Sequence, residues 1–347
     1  MASSHARLRR LVAWLLVLAL AFFLINFLSR VAVSANRIFG THAGRAMTQA
    51  QVLRAHRDGT GPRRNRPVPR ILHQIFHNWH DPGNETLPAD WQIVRQTCLA
   101  LHPTWEHKAR WTHPFFMSLW TEASSRRFIE AEYPFFLDMY DAFKYPVQRV
   151  DTLRYFLMRH FGGIYMDLDN GCRTSLEPLL YYPAWTTDGG HGTLSNNILG
   201  AEPEHPFWIL MTDSLLPWAR DFFLPYITVS YATGQWYETE LWQIYHARKP
   251  VGEPNLLRVM MDMRPTGAPW PVGEPNLLRV MMDMRPTGAP WVFFTAGRGG
   301  TWDQWDNRLF GWMGSHLLQV MLYVFVGLGL VTGAAYMRRG HRRRLVF

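Results

Sequence analysis

One stretch limits the fold more than any other: residues 146–171, PVQRVDTLRYFLMRHFGGIYMDLDNG. Val150, Leu153, Phe156 and Leu157, with His160 or Phe161, recur at helical spacing and make one apolar face. Asp151 and Arg154 stand three apart and share another face. Gly162-Gly163 stops the helix, because glycine takes the left-handed conformation at a helix end at little cost. IYMDLD then reads as a strand whose alternation puts Tyr165, Asp167 and Asp169 on one face and Ile164, Met166 and Leu168 on the other. Two carboxylates at a strand's exit suit a hard divalent cation, which holds a diphosphate and neutralises a departing one. Arg154 would bring a second positive charge to the same phosphates. A D-x-D triplet alone arises by chance about once in a chain this long, and an Asp–Arg pair three apart is an ordinary surface pair. The specificity lies in the conjunction.

Residues 69–76, PRILHQIF, read as a buried strand opening an α/β domain. His73 and Gln74 fall towards its C-terminal end, where α/β sheets bind ligands, although a strand-end histidine is more often structural. His77 and His80 follow in HQIFHNWH, but there is no H-E-x-x-H, which argues against a zinc hydrolase.

The rest of the chain is organised around this domain. Residues 11–28 are apolar apart from Asn26 and, at 1.5 Å each, roughly span a bilayer core. A retained signal anchor is the expectation; Ala32-Val33-Ser34 keeps a cleaved signal peptide as the alternative. A second apolar stretch, 317–336, ends in an Arg-rich tail and reads as another span, with a buried C-terminal helix as the alternative. The expected division is a tail over 1–10, an anchor over 11–28, a basic stem over 29–68, a lumenal domain over 69–316, a second span over 317–336 and a tail over 337–347. The net charge of +9 belongs to the flanks, since residues 71–336 carry 19 basic and 26 acidic side chains, a net of −7. A nucleic-acid-binding domain would concentrate positive charge in the folded part, so no nucleic-acid partner is expected.

PVGEPNLLRVMMDMRPTGAPW occurs at 250–270 and again, identically, at 271–291. Two identical copies are a recent duplication or a gene-model artefact, not a solenoid, and one copy must loop out. LLRVMM within each copy is an apolar stripe, read as a helix packed on the core or as one lying on a membrane surface. Cys98 and Cys172 are too few for a disulfide scaffold; a single disulfide and two buried thiols account for them equally.

The pattern D-x-L-R-Y-x(6)-G-G-I-Y-x-D-L-D resembles the signature of family 32 glycosyltransferases. PRILHQIFHNW, WEHKARWTHPFF, YPFFLDMYDAFKYPVQRVD, NNILGAEPEHPFW and GGTWDQWD also resemble that family and together span residues 69–310. The second span and PNLLRVMMDMRPTGAPW look most like its fungal mannosyl inositol phosphorylceramide synthase branch. The resemblance implies a GT-A-like α/β (Rossmann-type) domain flanked by transmembrane helices, using GDP-mannose and Mn²⁺ or Mg²⁺. It implies inositol phosphorylceramide as acceptor, a regulatory membrane subunit, and a Golgi membrane location with the domain lumenal and both termini cytoplasmic. Asp167 and Asp169 match the metal and diphosphate motif; Asp151 and Arg154 match the pair that contacts the donor sugar. Tyr165, His73, Gln74 and Asn196 match donor-side positions. Trp302 matches a position that could stack on a donor ring, and Asp303 stands at a metal or diphosphate position where histidine is common. TGQ at 233–235 replaces the family's TGP, a change expected to alter a turn without touching the metal site. The alternatives are an α-1,6-mannosyltransferase of N-glycans and a non-catalytic relative. Against the second, all four of Asp151, Arg154, Asp167 and Asp169 are present.

Overall fold

A computed structural model describes residues 2–62, 65–105, 119–188, 193–250, 252–253, 256–260, 292–296 and 305–344. Its centre is a seven-stranded mixed sheet in the order β1-β8-β6-β7-β4-β2-β3. The strands are β1 (Arg45–Thr48), β2 (Leu72–Phe76), β3 (Leu119–Thr121), β4 (Gly163–Met166), β6 (Ala184–Asp188), β7 (Leu194–Ala201) and β8 (Leu257–Met260). β7 is antiparallel to both neighbours, β6 and β4, and the remaining pairs are parallel. A second, two-stranded sheet joins β5 (Asn170–Cys172) to β9 (Phe294–Ala296).

Helices pack around this frame. α1 spans Ala2–Phe39, α2 Gln49–Arg57, α3 Ala89–Leu101, α4 Glu122–Glu132, α5 Pro134–Ala142 and α6 Pro146–His160. α7 spans Pro206–Asp213, α8 Leu215–Trp218, α9 Pro225–Ala232, α10 Gln235–Arg248, α11 Trp305–Ser315 and α12 Leu317–Arg344. The expected α/β class is what forms.

α6 is the centre of the larger core. Leu153, Tyr155, Phe156, Leu157 and Met158 are all buried there with residues of α5, α7 and α10. The double glycine after it is required by geometry. Gly162 has φ +62° and Gly163 φ +92°, and an added Cβ would stand 2.6 Å from Ala201 O and 2.7 Å from Ile71 O respectively. Without side chains the chain turns tightly enough to start β4 against β2 and β7.

Several expectations are corrected. The strand after the glycines ends at Met166, and Asp167–Asp169 form a turn closed by Asn170 N donating to Asp167 O at 3.0 Å. Strict alternation therefore stops, and Leu168 faces the same cleft as its acidic neighbours. The stretch expected as an irregular stem joins the fold instead: β1 is an edge strand paired with β8, and α2 follows behind a Thr48/Gln51 capping box. Leu256–Met260 of the first repeat copy is neither a core helix nor a surface one. Leu257 and Val259 are buried in β8, whose intervening Arg258 forms a close ion pair with buried Asp188. The second copy lies outside the described residues.

α1 is longer than the 18 residues expected, continuing without a break into the domain. Ser34 donates to Glu240, and Arg37 Nη1 pairs with Glu240 Oε1 at 3.2 Å. Ile38 is buried with Tyr226 and Trp236. Leu11–Phe39 is long and apolar enough to cross a membrane, with mean hydropathy 2.7 over its most apolar window. The apolar part of α12, Leu318–Ala334, is shorter, at 17 residues. Cys98 in α3 and Cys172 in β5 form a disulfide, which decides the alternative left open by the sequence.

Candidate active site

The turn after β4, α6, the start of β7 and the α9–α10 junction enclose one cleft of about 340 Å³. Asp151, Arg154, Tyr165, Asp167, Asp169 and Asn196 all line it, so six residues drawn from three segments of sequence converge on one space.

Arg154 organises them. Its Nη2 lies 3.1 Å from Asp151 Oδ1, its Nη1 lies 3.5 Å from Asp167 Oδ1, and Nη1 donates to Asn196 O at 2.6 Å. The guanidinium carbon stands 4.8 Å from the centroid of the Tyr165 ring. Burial alone would lower the Arg154 pKa; Asp167, Tyr165 and Asp151 outweigh it and hold the pKa above the usual value. A fixed cation at the cleft wall results.

Asp151 is held from every side. Its Oδ1 accepts from Asn196 Nδ2 at 3.1 Å and its Oδ2 from Thr233 Oγ1 at 3.1 Å. Tyr155 completes the network: its hydroxyl accepts from Asn196 Nδ2 at 3.1 Å and donates to Thr233 O at 2.7 Å. Burial pushes Asp151 up to about 6, against the pull of Arg154. The TGQ segment meets the donor side of the site, where Thr233 bonds Asp151 and Gly234 and Gln235 line the cleft. Tyr155 and Thr233 escaped the sequence reading: one sits on a helix otherwise read as core, the other is 82 residues from its partner.

Asp167 accepts from the Tyr165 hydroxyl, and its carboxyl is raised by burial against Arg154 and that hydrogen bond. Asp169 accepts from Asn170 Nδ2 at 2.7 Å, and burial with the Asp167 charge pushes it up to about 7. Two hard carboxylate donors facing one cleft fit a divalent cation that takes its other ligands from a diphosphate and water. Among the described residues no third His, Cys, Asp or Glu joins them. Trp302 and Asp303, expected at the donor ring and the metal, lie outside the described residues.

His73 and Gln74 are corrected. Both are buried in β2 away from the cleft. His73 Nε2 bonds Gly162 O at 2.9 Å and Nδ1 accepts from Trp120 Nε1 at 3.3 Å, which fixes a neutral ring; burial lowers its pKa to about 4. Gln74 Oε1 accepts from Arg95 Nε at 2.9 Å. Both side chains serve the sheet. The cleft begins after them, at Ile75 and Phe76, and continues through His77, Asn78 and Trp79 to Trp91. The segment PRILHQIFHNW carries most of this wall, but the sequence alone assigns its aromatic residues no role.

The class of the protein follows from this site and from comparison with known proteins. Residues 88–185 match the glycosyltransferase sugar-binding region containing the DXD motif, which places the helix–turn–acid segment within that family. Among curated proteins, mannosyl phosphorylinositol ceramide synthase SUR1 of Saccharomyces cerevisiae is 36% identical over 178 residues, 51% of this chain and 42% of that protein. Mannosyl phosphorylinositol ceramide synthase CSH1 of the same yeast is 31% identical over 259 residues, 75% of this chain and 59% of that one. Inositol phosphoceramide mannosyltransferase 2 of Schizosaccharomyces pombe is 37% identical over 183 residues, 53% of this chain and 48% of that one. The chain spans about half the length of these relatives.

Proposed function

We propose that the chain is a GT-A-like, metal-dependent mannosyltransferase that moves mannose from GDP-mannose to inositol phosphorylceramide. The observation that carries this is Arg154, locked between Asp151 and Asp167 on the wall of a cleft that also holds Asp169. The relatives' names supply the acceptor class.

In this reading Asp167 and Asp169 hold Mn²⁺ or Mg²⁺, which supplies positive charge to the diphosphate when bound. Arg154 faces the same diphosphate and stabilises the negative charge that grows there as the sugar C1–O bond breaks. The acceptor oxygen forms the new bond to C1, its proton passes to the departing GDP, and the anomeric configuration is retained. Asp151 holds Arg154 in place and presents its carboxylate to the donor sugar. Asn196 fixes Asp151, and the aromatic wall from Phe76 to Trp91 offers apolar faces to a sugar or inositol ring.

α1 is the membrane anchor, the apolar part of α12 is a second span, and the domain faces the Golgi lumen with both termini cytoplasmic. A regulatory membrane subunit accompanies it.

Membranes carrying the full chain, given radiolabelled GDP-mannose, Mn²⁺ and inositol phosphorylceramide, transfer label to lipid, and the Asp169→Ala variant does not. Label found on glycoprotein and absent from lipid would overturn the acceptor assignment.

A further inference from the structure

Phe223 is 90% exposed, in the connection between α8 and α9. A phenyl ring left in water forgoes the stabilisation that burial gives, so a loop that presents one rigidly calls for an explanation. This loop is held firmly. Phe222 N donates to Thr228 Oγ1 at 2.8 Å, and the same hydroxyl lies 3.1 Å from Phe222 O and 3.2 Å from Leu224 O. The Phe222 ring packs 5.5 Å from Tyr231, which stands against the small core of Ile38, Tyr226 and Trp236. Phe223 is thus projected from a pinned turn.

That small core is where the ends of the chain meet. Ile38 and Phe39 bring in the last turn of α1, and Phe310 brings in α11, its ring 5.4 Å from Tyr226. Asp306 Oδ2 accepts from Tyr226 N at 2.6 Å. On the outward side of α11, Trp305, Leu309 and Trp312 follow at helical spacing and are exposed. α11 leads directly into the apolar stretch of α12. Tyr226, at the centre of this junction, also lines the cleft.

We propose that the Phe222–Phe223 turn and the Trp305/Leu309/Trp312 face of α11 dip together into the lipid interface, so that α9 forms a cleft wall at the bilayer surface. The occupant is lipid because both surfaces flank one junction: Phe222 through Tyr231 and α11 through Phe310 pack on the core that receives the last turn of α1, and α11 runs on into α12, so the two apolar helices leave beside them. Aromatic side chains suit the headgroup boundary, where one end of the ring is apolar and the other wet. The inference rests on the reading of α1 as a membrane anchor. It adds that the domain lies on the membrane surface and does not hang from its anchor.

The test uses the full chain in liposomes. Both native cysteines are in the disulfide, so Phe223→Cys gives one free thiol for an environment-sensitive fluorophore; Glu132→Cys at the end of α4 is the control. The expected result is a blue-shifted emission at position 223, quenched by spin-labelled lipid and protected from aqueous iodide, with the reverse at position 132. A fluorophore at 223 quenched by iodide overturns the proposal. So does one shielded from iodide yet unquenched by lipid, which means that a protein covers the turn. A second arm measures transfer: Phe222→Ser with Phe223→Ser raises KM for the membrane-borne acceptor about tenfold and leaves KM for the nucleotide sugar unchanged. Lipid quenching without any transfer to lipid would refute the acceptor assignment alone. Transfer with a water-exposed fluorophore would refute the membrane contact alone.

Discussion

Arg154 and Asp151 lie one turn apart on α6, with Nη2 3.1 Å from Oδ1 and both side chains buried. Removing the cation leaves buried carboxylates unpaired. Arg154→Met is expected to cost about 3–5 kcal/mol of stability and to lower transfer at least about 100-fold. Thermal unfolding and a transfer assay on one preparation check both.

Asp169 should behave differently. It is partly exposed and its side-chain bond is to its neighbour Asn170. Asp169→Asn is expected to abolish metal-dependent transfer without lowering Tm, since it removes a carboxylate that burial and the Asp167 charge already disfavour. A large drop in Tm would make Asp169 a structural residue.

The local part of this architecture is legible in the sequence because its causes are local. A helical apolar period and two glycines are enough to place α6 and its end. What pairs at long range is not. β1 reads RAMT, with no apolar run, and becomes a strand only because β8 lies beside it. β8 hides behind Arg258, a charge tolerated at the sheet by Asp188. His73 looks available from its place at a strand's end, but Gly162 O and Trp120, 89 and 47 residues away, claim both ring nitrogens. Thr233 bonds Asp151 directly and Tyr155 braces it through Asn196 and Thr233, contacts that no spacing rule reports.

His73 also sets a pH dependence. Its folded pKa is depressed to about 4 from 6.5, so its contribution is complete above about 6.5 and is lost as pH falls towards 4. His77, lowered to about 3 by burial and by Arg149, acts in the same direction. Each group should remove about 1.4 kcal/mol per pH unit within its window. Thermal unfolding between pH 7 and pH 4.5 should show a smaller decline for His73→Gln than for the native chain, from a lower starting point.

Gly163 has no room for a side chain. Gly163→Ala would press a Cβ to 2.7 Å from Ile71 O at φ +92°. The expected loss exceeds the ~1 kcal/mol of ordinary backbone strain, with transfer falling as β4 and the acidic turn shift. Gly59→Ala, at φ +64° with nothing within 4 Å, is the control for strain without collision.

The disulfide ties α3 to β5 at Cys172, two residues beyond Asn170, across 74 residues of sequence. Replacing Cys98 and Cys172 together by serine is expected to cost about 2–5 kcal/mol. Unfolding midpoints of the native chain with and without reductant should reproduce that difference.

β8 occupies a single place between β1 and β6, and residues 257–260 of the first copy fill it. Two identical segments cannot both be selected for one vacancy. Mutations that spoil Leu257, Val259 or Arg258 are removed by selection, because β8 buries the first two and pairs the third with Asp188. A genuine duplication therefore starts a clock: with time the two halves of residues 250–291 should drift at unequal rates, and the one that stays constant will be the one the sheet uses.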